Sequence, residues 1–528
     1  MPRIGTENKI RGIEQEYPVS AKASLNPSLL VNAAIRGLKR SRFSRDVTWD
    51  IITEVSQELH ESKITSSYGN NGCRIYNDMG HLEIATPSYN NPFDAVAYDK
   101  ASEIYAFVGA REASLALKKK VVIHKNNVAN FFASAPSSSS ESAVRTGKGR
   151  KIKTNTYATH GNIITKRAAC KDWSRVEKAL IPWVVTRILF AGSGDVVSGD
   201  AIGKEGVKFV ISPRAMFVVQ KSSLSTTTGR GILNTRDQPH AAHRYWRLHD
   251  IHYEALRSEY AIFLRDIAQA LVIRAFELGF LDDAPEIDDP VSAFKKLSLD
   301  TQGCEWTVKL KNGETTDAVS ILRFYLDAIE KMQEHEGEEV GKWDEIGLKC
   351  LNDLIEDLEA RHLENYVDGI DWVTKLALLV NYEPRTASEG LSVCNQYALL
   401  DEGVRYYLDD EKRGIKSDCL FNPKDSLTFA KSKLPHVDWS SLPERVNYAL
   451  SNAPEQTRDF FKAELLKRYG SRVRNISWST LTVGNAKIML DEPFMLNKEE
   501  TSAEMMDGAD LEEILAAAKG LYPGKVTL

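Results

Sequence analysis

At 528 residues the chain can form roughly two to four ordinary domains, or one large enzyme core with an appendage. A 42% hydrophobic and 27% charged content is that of a globular protein, and a net charge of -5 offers no global attraction to nucleic acid or to an acidic membrane. No run of about 18 apolar residues exists to span a bilayer, and Met1 to Arg11 lacks the apolar core of a secretory leader, so a soluble, cytoplasmic protein is expected. The first segment, Ile10 to Val19, reads as a strand in which Ile13, Gln15 and Tyr17 alternate with Glu14 and Glu16, placing both glutamates on one face. A polar, helical stretch with the basic cluster Lys39, Arg40, Arg42 and Arg45 follows. Gly72 to Pro87 reads as two short strands around a tight turn at Met79-Gly80, carrying Tyr76, Asp78 and Glu83. A helix opens at the Asn91-Pro92 pair and runs to Leu117, then a strand covers Val121 to His124.

Residues 134–153 stand apart, with Ser137 to Ser140 followed by Arg145, Lys148, Arg150, Lys151 and Lys153 and no apolar periodicity; a mobile surface loop is expected. Its lack of interleaved aromatics argues against nucleic-acid binding. Asn155 to Thr165 resumes as strand, Ser174 to Ala191 as helix, and strands are expected over Phe209–Val219 and Gly231–Asn234. From Glu254 the pattern is helical, with apolar stripes at Ile262, Ile267, Leu271, Phe276 and Leu278, then Ile321, Leu326 and Ile329, then Leu351, Ile355 and Leu358. Beyond Leu434 short helices and strands suggest a small domain ending near Leu496, and residues 497–528 read as an acidic, flexible tail with one weak amphipathic helix at Leu511, Ile514 and Leu515.

Six scattered cysteines without a CxxC pair read as free thiols, so structural zinc is not expected. Gly199 to Lys204 imitates a P-loop but has three residues between its glycines and Glu205 after the lysine, so it lacks the phosphate cradle and the magnesium hydroxyl. No Gly-x-Gly-x-x-Gly follows a strand. The acidic set says more. Two carboxylates on one strand face repel unless solvent screens them or cations neutralise them, and hard oxygen ligands suit magnesium. Such a pair is often just a solvated face, but here it has company: Asp78 and Glu83, His160 and His240, and Arg214, Arg230 and Arg236. Metal with arginines is a phosphate site, and a carboxylate not used as a ligand can attack or take a proton. The histidines His240, His243, His249 and His252 do not match a zinc frame, and structural or surface roles are expected for all but His240.

These residues carry a resemblance. Gly12-Ile13-Glu14-Gln15-Glu16-Tyr17, Asn71-Gly72 through Tyr76, Asp78, His81-Leu82-Glu83, Lys125-Asn126-Asn127, Tyr157 to Asn162, Pro182 to Gly194, Ser212 to Arg214, and Ile232 through His240 to Arg247-Leu248-His249 resemble the family of the Pup ligase and the Pup deamidase/depupylase, relatives of glutamine synthetase. The likeness runs in order from about Gly5 to Trp478. It implies an α+β, glutamine-synthetase-like core with a concave antiparallel sheet backed by helices over residues 1–433, a small C-terminal domain over 434–496, and the tail. It implies ATP and Mg2+ as cofactors, Glu14, Glu16, Glu83, His160 and His240 as metal-binding residues, Asp78 as the catalytic base or nucleophile, and Arg214, Arg230 and Arg236 as phosphate-binding residues.

The partners so implied are a small ubiquitin-like, Pup-like modifier and its conjugated targets, with no nucleic acid and no membrane. The leading expectation is an ATP/Mg-dependent amidase cleaving an amide or isopeptide bond at the modifier's C-terminal Gln or Glu. The alternatives are the matching carboxylate-amine ligase, and a regulatory paralogue that only binds modifier or nucleotide. The five-residue spacing from Asp78 to Glu83 is similar to the depupylase branch, where the ligase has six, while Gly12-Ile13-Glu14 is ligase-like. Departures mark a divergent member: the family's His-Glu-Asn is His160-Gly161-Asn162, its Asp-Glu-Pro-His is Asp237-Gln238-Pro239-His240, and its Gly-Asp before the long helix is Tyr253-Glu254.

Overall fold

The computed structural model describes residues 4–21, 25–49, 66–133, 144–145, 151–198, 207–337, 340–408, 418–501, 503–506 and 510–528. Its main sheet is built from nine strands: β1 (Arg11–Tyr17), β2 (Ser44–Arg45), β3 (Ser66–Gly69), β4 (Arg74–Asp78), β5 (His81–Ala85), β6 (Thr159–Lys166), β7 (Gln220–Ser223), β8 (Gly231–Asn234) and β9 (Tyr245–Asp250). They are ordered β7-β8-β9-β6-β1-β5-β4-β3-β2, antiparallel throughout except for β7 on β8. The alternation read in β1 is the reason for its central place. Ile13 and Tyr17 are buried toward the helical layer with Ile75, Leu82, Ile84 and Ile163, leaving Glu14 and Glu16 on the other face. Between β4 and β5, Met79 (φ 49°) and Gly80 (φ 93°) both take positive φ, the two-residue hairpin turn whose twist matches its strands.

Behind the sheet, the helix Pro92–Leu117 starts where expected: the Asn91 side chain accepts from the Asp94 N–H at 2.8 Å, with Pro92 in the first turn. The helix Glu259–Leu278 is capped by Ser258 and stopped by Gly279 at φ 89°. Instead of one apolar stripe it is buried on nearly every side, because helices Pro92–Leu117, Ala318–Glu336 and Lys342–Glu359 all pack on it; Leu278, at its end, is exposed. The expected strand Phe209–Val219 is broken: the strand is Val207–Val210, and Arg214–Phe217 forms a 3-10 turn after Pro213, which has no N–H to give a ladder.

A second hydrophobic cluster is a meander of Val473–Ile476, Thr480–Val483 and Ala486–Met489, extended by Thr48–Trp49 in parallel on one edge and Val526–Thr527 on the other. The expected flexible tail is therefore corrected. The helix Leu511–Leu521, started by the reciprocal Asp510–Glu513 capping box, buries Leu511, Ile514, Leu515 and Ala518 on the meander. Burying each large side chain contributes roughly 1.5–3 kcal/mol, enough to hold a helix too short to persist alone. Leu434, Val437, Trp439, Leu442, Val446 and Leu450, placed by sequence in the C-terminal domain, pack in the main core instead.

Most of the expected Ser-rich loop, residues 134–143 and 146–150, lies outside the described residues. Its end does not: Lys151–Thr156 is a strand paired with Val128–Ala133. Among the described residues no helix is long and apolar enough to cross a membrane.

Candidate functional site

Register decides which side chains meet. Glu14 pairs with His160 on β6 and Ala85 on β5; Glu16 pairs with Glu83, Glu83 with Tyr76, Asp78 with His81, and Asn162 with His249. Directly opposed residues share a face. Glu14, Glu16, Tyr76, Asp78, His81, Glu83, His160, Asn162, Arg247 and His249 thus converge on the face away from the helices.

They form two groups, each headed by one of the β1 glutamates. Ligand atoms of Glu14, His160 and His249 lie within 4.8 Å of one another, as do those of Glu16, Asp78 and Glu83. In the first group Glu14 Oε2 is 3.1 Å from His160 Nδ1 and 3.7 Å from His249 Nε2, while Oε1 accepts from Asn162 Nδ2 at 3.2 Å and lies 3.5 Å from Arg247 Nη1. Burial works against ionisation of Glu14, but the hydrogen bond to His160 and the close His249 ring win and hold the carboxyl well below its ordinary range. His249 is driven down to about 3 by burial, with Arg247 beside it, and stays a neutral imidazole. His160 Nε2 and both His249 ring nitrogens are buried without a hydrogen bond. Imidazole nitrogens beside an ionised carboxylate are a fitting donor set for a divalent cation.

The second group is all oxygen. Glu16 accepts from the Ala158 N–H, and its Oε1 lies 3.4 Å from His81 Nδ1. Glu83 accepts from the Tyr76 hydroxyl. Burial, then the charges of Asp78, Glu16 and Glu14, raise the Glu83 carboxyl well above its ordinary range. Crowded carboxylate oxygens of this kind are donors of the type magnesium takes. Tyr76 is itself fixed by the Arg74 guanidinium, which lies 4.2 Å from its ring and 3.7 Å from that of Trp49.

The arginines divide. Arg214 is buried, donating from Nε and Nη2 to the Ile251 carbonyl at 3.2 and 3.1 Å and from Nη1 to Thr156 Oγ1 at 3.3 Å. Arg230 is pushed down to about 9 by burial and by Arg214, with Glu16 opposing. A guanidinium depressed by burial and by its cationic neighbour, beside a carboxylate group, is an anion site in waiting. Arg236 is half-buried just beyond β8, its backbone N–H donating to Asn234 Oδ1 at 2.9 Å. His240 belongs to neither three-residue group; with φ 48° it lies in the loop before β9, its ring 5.9 Å from that of Trp478. Both rings border a cavity of about 110 Å³ whose other walls include Glu14, Thr86, Asn162, Arg247 and Lys462.

Sequence reasoning placed Glu14, Glu16, Asp78, Glu83 and His160 together, and the structure brings them to one face. It set His249 aside in favour of His240; the geometry puts His249 in the ligand group. The available signal was the alternation Arg247-Leu248-His249 on a strand, which turns the first and third residues to the same side. Tyr76, read from sequence beside Asp78, and Asn162 each lie two residues from an expected site residue and share its face without being among the expected set. The departure at Gly161 is explained by its neighbour: a Cβ built there would lie 2.6 Å from the Tyr253 ring, so the Gly161 and Tyr253 changes are one packing event on the helix side of β6.

The family described as Pup-ligase protein matches residues 9–135 and 150–482. The chain is 30% identical over 511 residues to the depupylase of Acidothermus cellulolyticus, covering 90% of both. It is 29% identical over 512 residues to the Pup--protein ligase of Acidimicrobium ferrooxidans, covering 94% of this chain and 98% of that one. The crystal structure of the complex between the prokaryotic ubiquitin-like protein Pup and its ligase PafA superposes with a TM-score of 0.70 at 23% identity, over 98% of this chain and 96% of the other. That likeness shows the fold, an α+β fold with an antiparallel sheet backed by helices as expected from the sequence.

Proposed function

The chain belongs to the Pup-ligase family, and from that premise we propose that it is an ATP- and magnesium-dependent amidase acting at the C-terminal Gln or Glu of a small Pup-like modifier. The observation that carries the reading is the pair of donor groups, Glu14–His160–His249 and Glu16–Asp78–Glu83, on one sheet face. The all-oxygen group suits Mg2+; the nitrogen-containing group would take Mn2+ as readily. Bound magnesium would neutralise phosphate oxygens there.

The protein's own residues supply the rest. Arg214 and Arg230 offer a fixed positive wall for phosphate, and Trp478, Thr86 and Lys462 give the neighbouring cavity an aromatic edge, a hydroxyl and a cation that fit a nucleotide base and its ribose. Asp78, partly exposed at the end of β4 and left out of the metal set that Glu16 and Glu83 would form, would take the proton of an attacking water as the amide carbonyl is opened, the leaving amine then receiving that proton. Glu16 and Glu83 lie beside it on the same sheet face. The tight turn Met79-Gly80 favours the cleaving branch, because it closes the hairpin with the five-residue spacing from Asp78 to Glu83.

The ligase direction is the second reading, favoured by Gly12-Ile13-Glu14 and by a ligase relative as similar as the depupylase. The test incubates the protein with ATP, Mg2+, a Gln-ended and a Glu-ended Pup-like modifier, a lysine-bearing target and a preformed conjugate. Deamidation or release of free modifier supports the amidase, and new lysine adducts support the ligase. If neither appears and Asp78→Asn leaves ATP turnover unchanged, the enzymatic reading is wrong.

A further inference from the structure

Between β8 and β9 the chain runs through Thr235–Arg244, the loop that carries Arg236 and His240. One side chain, not assigned to the site above, reaches both ends of this loop. Arg167, directly after β6, donates from Nη1 and Nη2 to the two carboxylate oxygens of Asp237 at 2.5 and 2.9 Å. From the same guanidinium, Nε donates to the His243 carbonyl and Nη2 to the Tyr245 carbonyl at 2.8 Å. Its plane lies 5.0 Å from the Trp246 ring, and its backbone N–H donates to the Arg244 carbonyl at 2.9 Å. The opposite side of the loop is held by the C-terminal segment: Arg458 Nη1 donates to the His240 carbonyl at 2.6 Å, and the Ala242 N–H to the Asp491 carbonyl at 2.8 Å.

We propose that Arg167 is a positioning residue for nucleotide binding, its fork on Asp237 and its two carbonyl bonds fixing the path of the loop that presents Arg236 and His240. The proposal rests on the nucleotide reading of the neighbouring cavity, which His240 borders. A general stabilising role would look different. The Arg167 and Asp237 side chains are 19% and 28% exposed, and ion pairs open to solvent contribute little to stability. What the arrangement adds is geometry, since a planar fork holds four acceptors at once and an ammonium cannot.

The experiment compares wild type with Arg167→Gln, Arg167→Lys, Asp237→Asn and the Arg167→Gln/Asp237→Asn pair. Hydrogen exchange is measured at residues 235–244 and at the distant helix Lys342–Glu359, with KM for ATP and kcat determined alongside. Each single variant is expected to speed exchange in the loop and not in the distant helix. Each should also raise KM for ATP about tenfold with less than a threefold change in kcat, the size of effect that loss of charge-assisted bonds gives. Arg167→Lys should behave like Arg167→Gln, and the double variant no worse than either. Unchanged loop exchange, or an unchanged KM in a variant whose parent turns over ATP, overturns the proposal. A wild type that does not bind ATP sinks the nucleotide reading instead, and the loop exchange then decides the anchor alone.

Discussion

Among the buried charge groups of the described residues, two lie on opposite sides of the main sheet and are built on opposite plans. In the helical layer, Lys125 Nζ contacts Asp99 and lies 3.0 Å from Glu103, Lys100 lies 3.4 Å from Glu103 and 3.3 Å from Glu259, and Arg257 lies 3.6 Å from Glu103. Three cations meet three anions. Burial opposes ionisation of Glu103, but Lys100, Lys125 and Arg257 hold its carboxyl down to about 2. On the open face, Glu16, Asp78 and Glu83 crowd together and Glu83 is driven upward. Matched buried charges settle how elements pack, whereas repelling ones leave a vacancy of charge for a ligand to fill.

Substitutions should separate the two plans. Asp78→Asn is expected to lower turnover by about a thousandfold, as loss of a general base does, while leaving the thermal midpoint within a degree or two; amidase assays and a melting curve check both. Lys125→Ala should do the reverse, destabilising by about 3–5 kcal/mol because buried Asp99 loses its cation and Glu103 loses one of three, measurable as a lower denaturant midpoint. Glu83→Gln removes repulsion without removing the acceptor for Tyr76, so the metal-free protein should melt no lower than wild type. Saturating Mg2+ should stabilise wild type by roughly 3 kcal/mol at a hundred times its Kd and Glu83→Gln by far less. Gly161→Ala is the smallest, about 1–3 kcal/mol from forcing a methyl against the Tyr253 ring; adding Tyr253→Ala should cost less than the sum of the two.

Local chemistry made much of this legible. The alternation of β1, the Met79-Gly80 turn and the Asn91 cap are all decided by residues within a few positions of one another. What escaped depends on pairing across long stretches of chain. His249 reaches Glu14 only because β9 pairs with β6 in the register that sets Asn162 opposite His249. Trp49 joins the C-terminal sheet through a parallel pairing of Thr48–Trp49 with Asn475–Ile476, which no local pattern announces. The terminal helix carried its apolar face in plain view, but that face reads as weak until the meander it covers is known. Gly161 and Tyr253 looked like two separate departures until a ring and a missing side chain proved to share one space.

The most direct test of the central claim is anomalous diffraction from crystals of the protein with Mn2+ and ATP. Two peaks are predicted, one among Glu16, Asp78 and Glu83 and one at Glu14, His160 and His249. Density for nucleotide with no peak at either group would contradict the account.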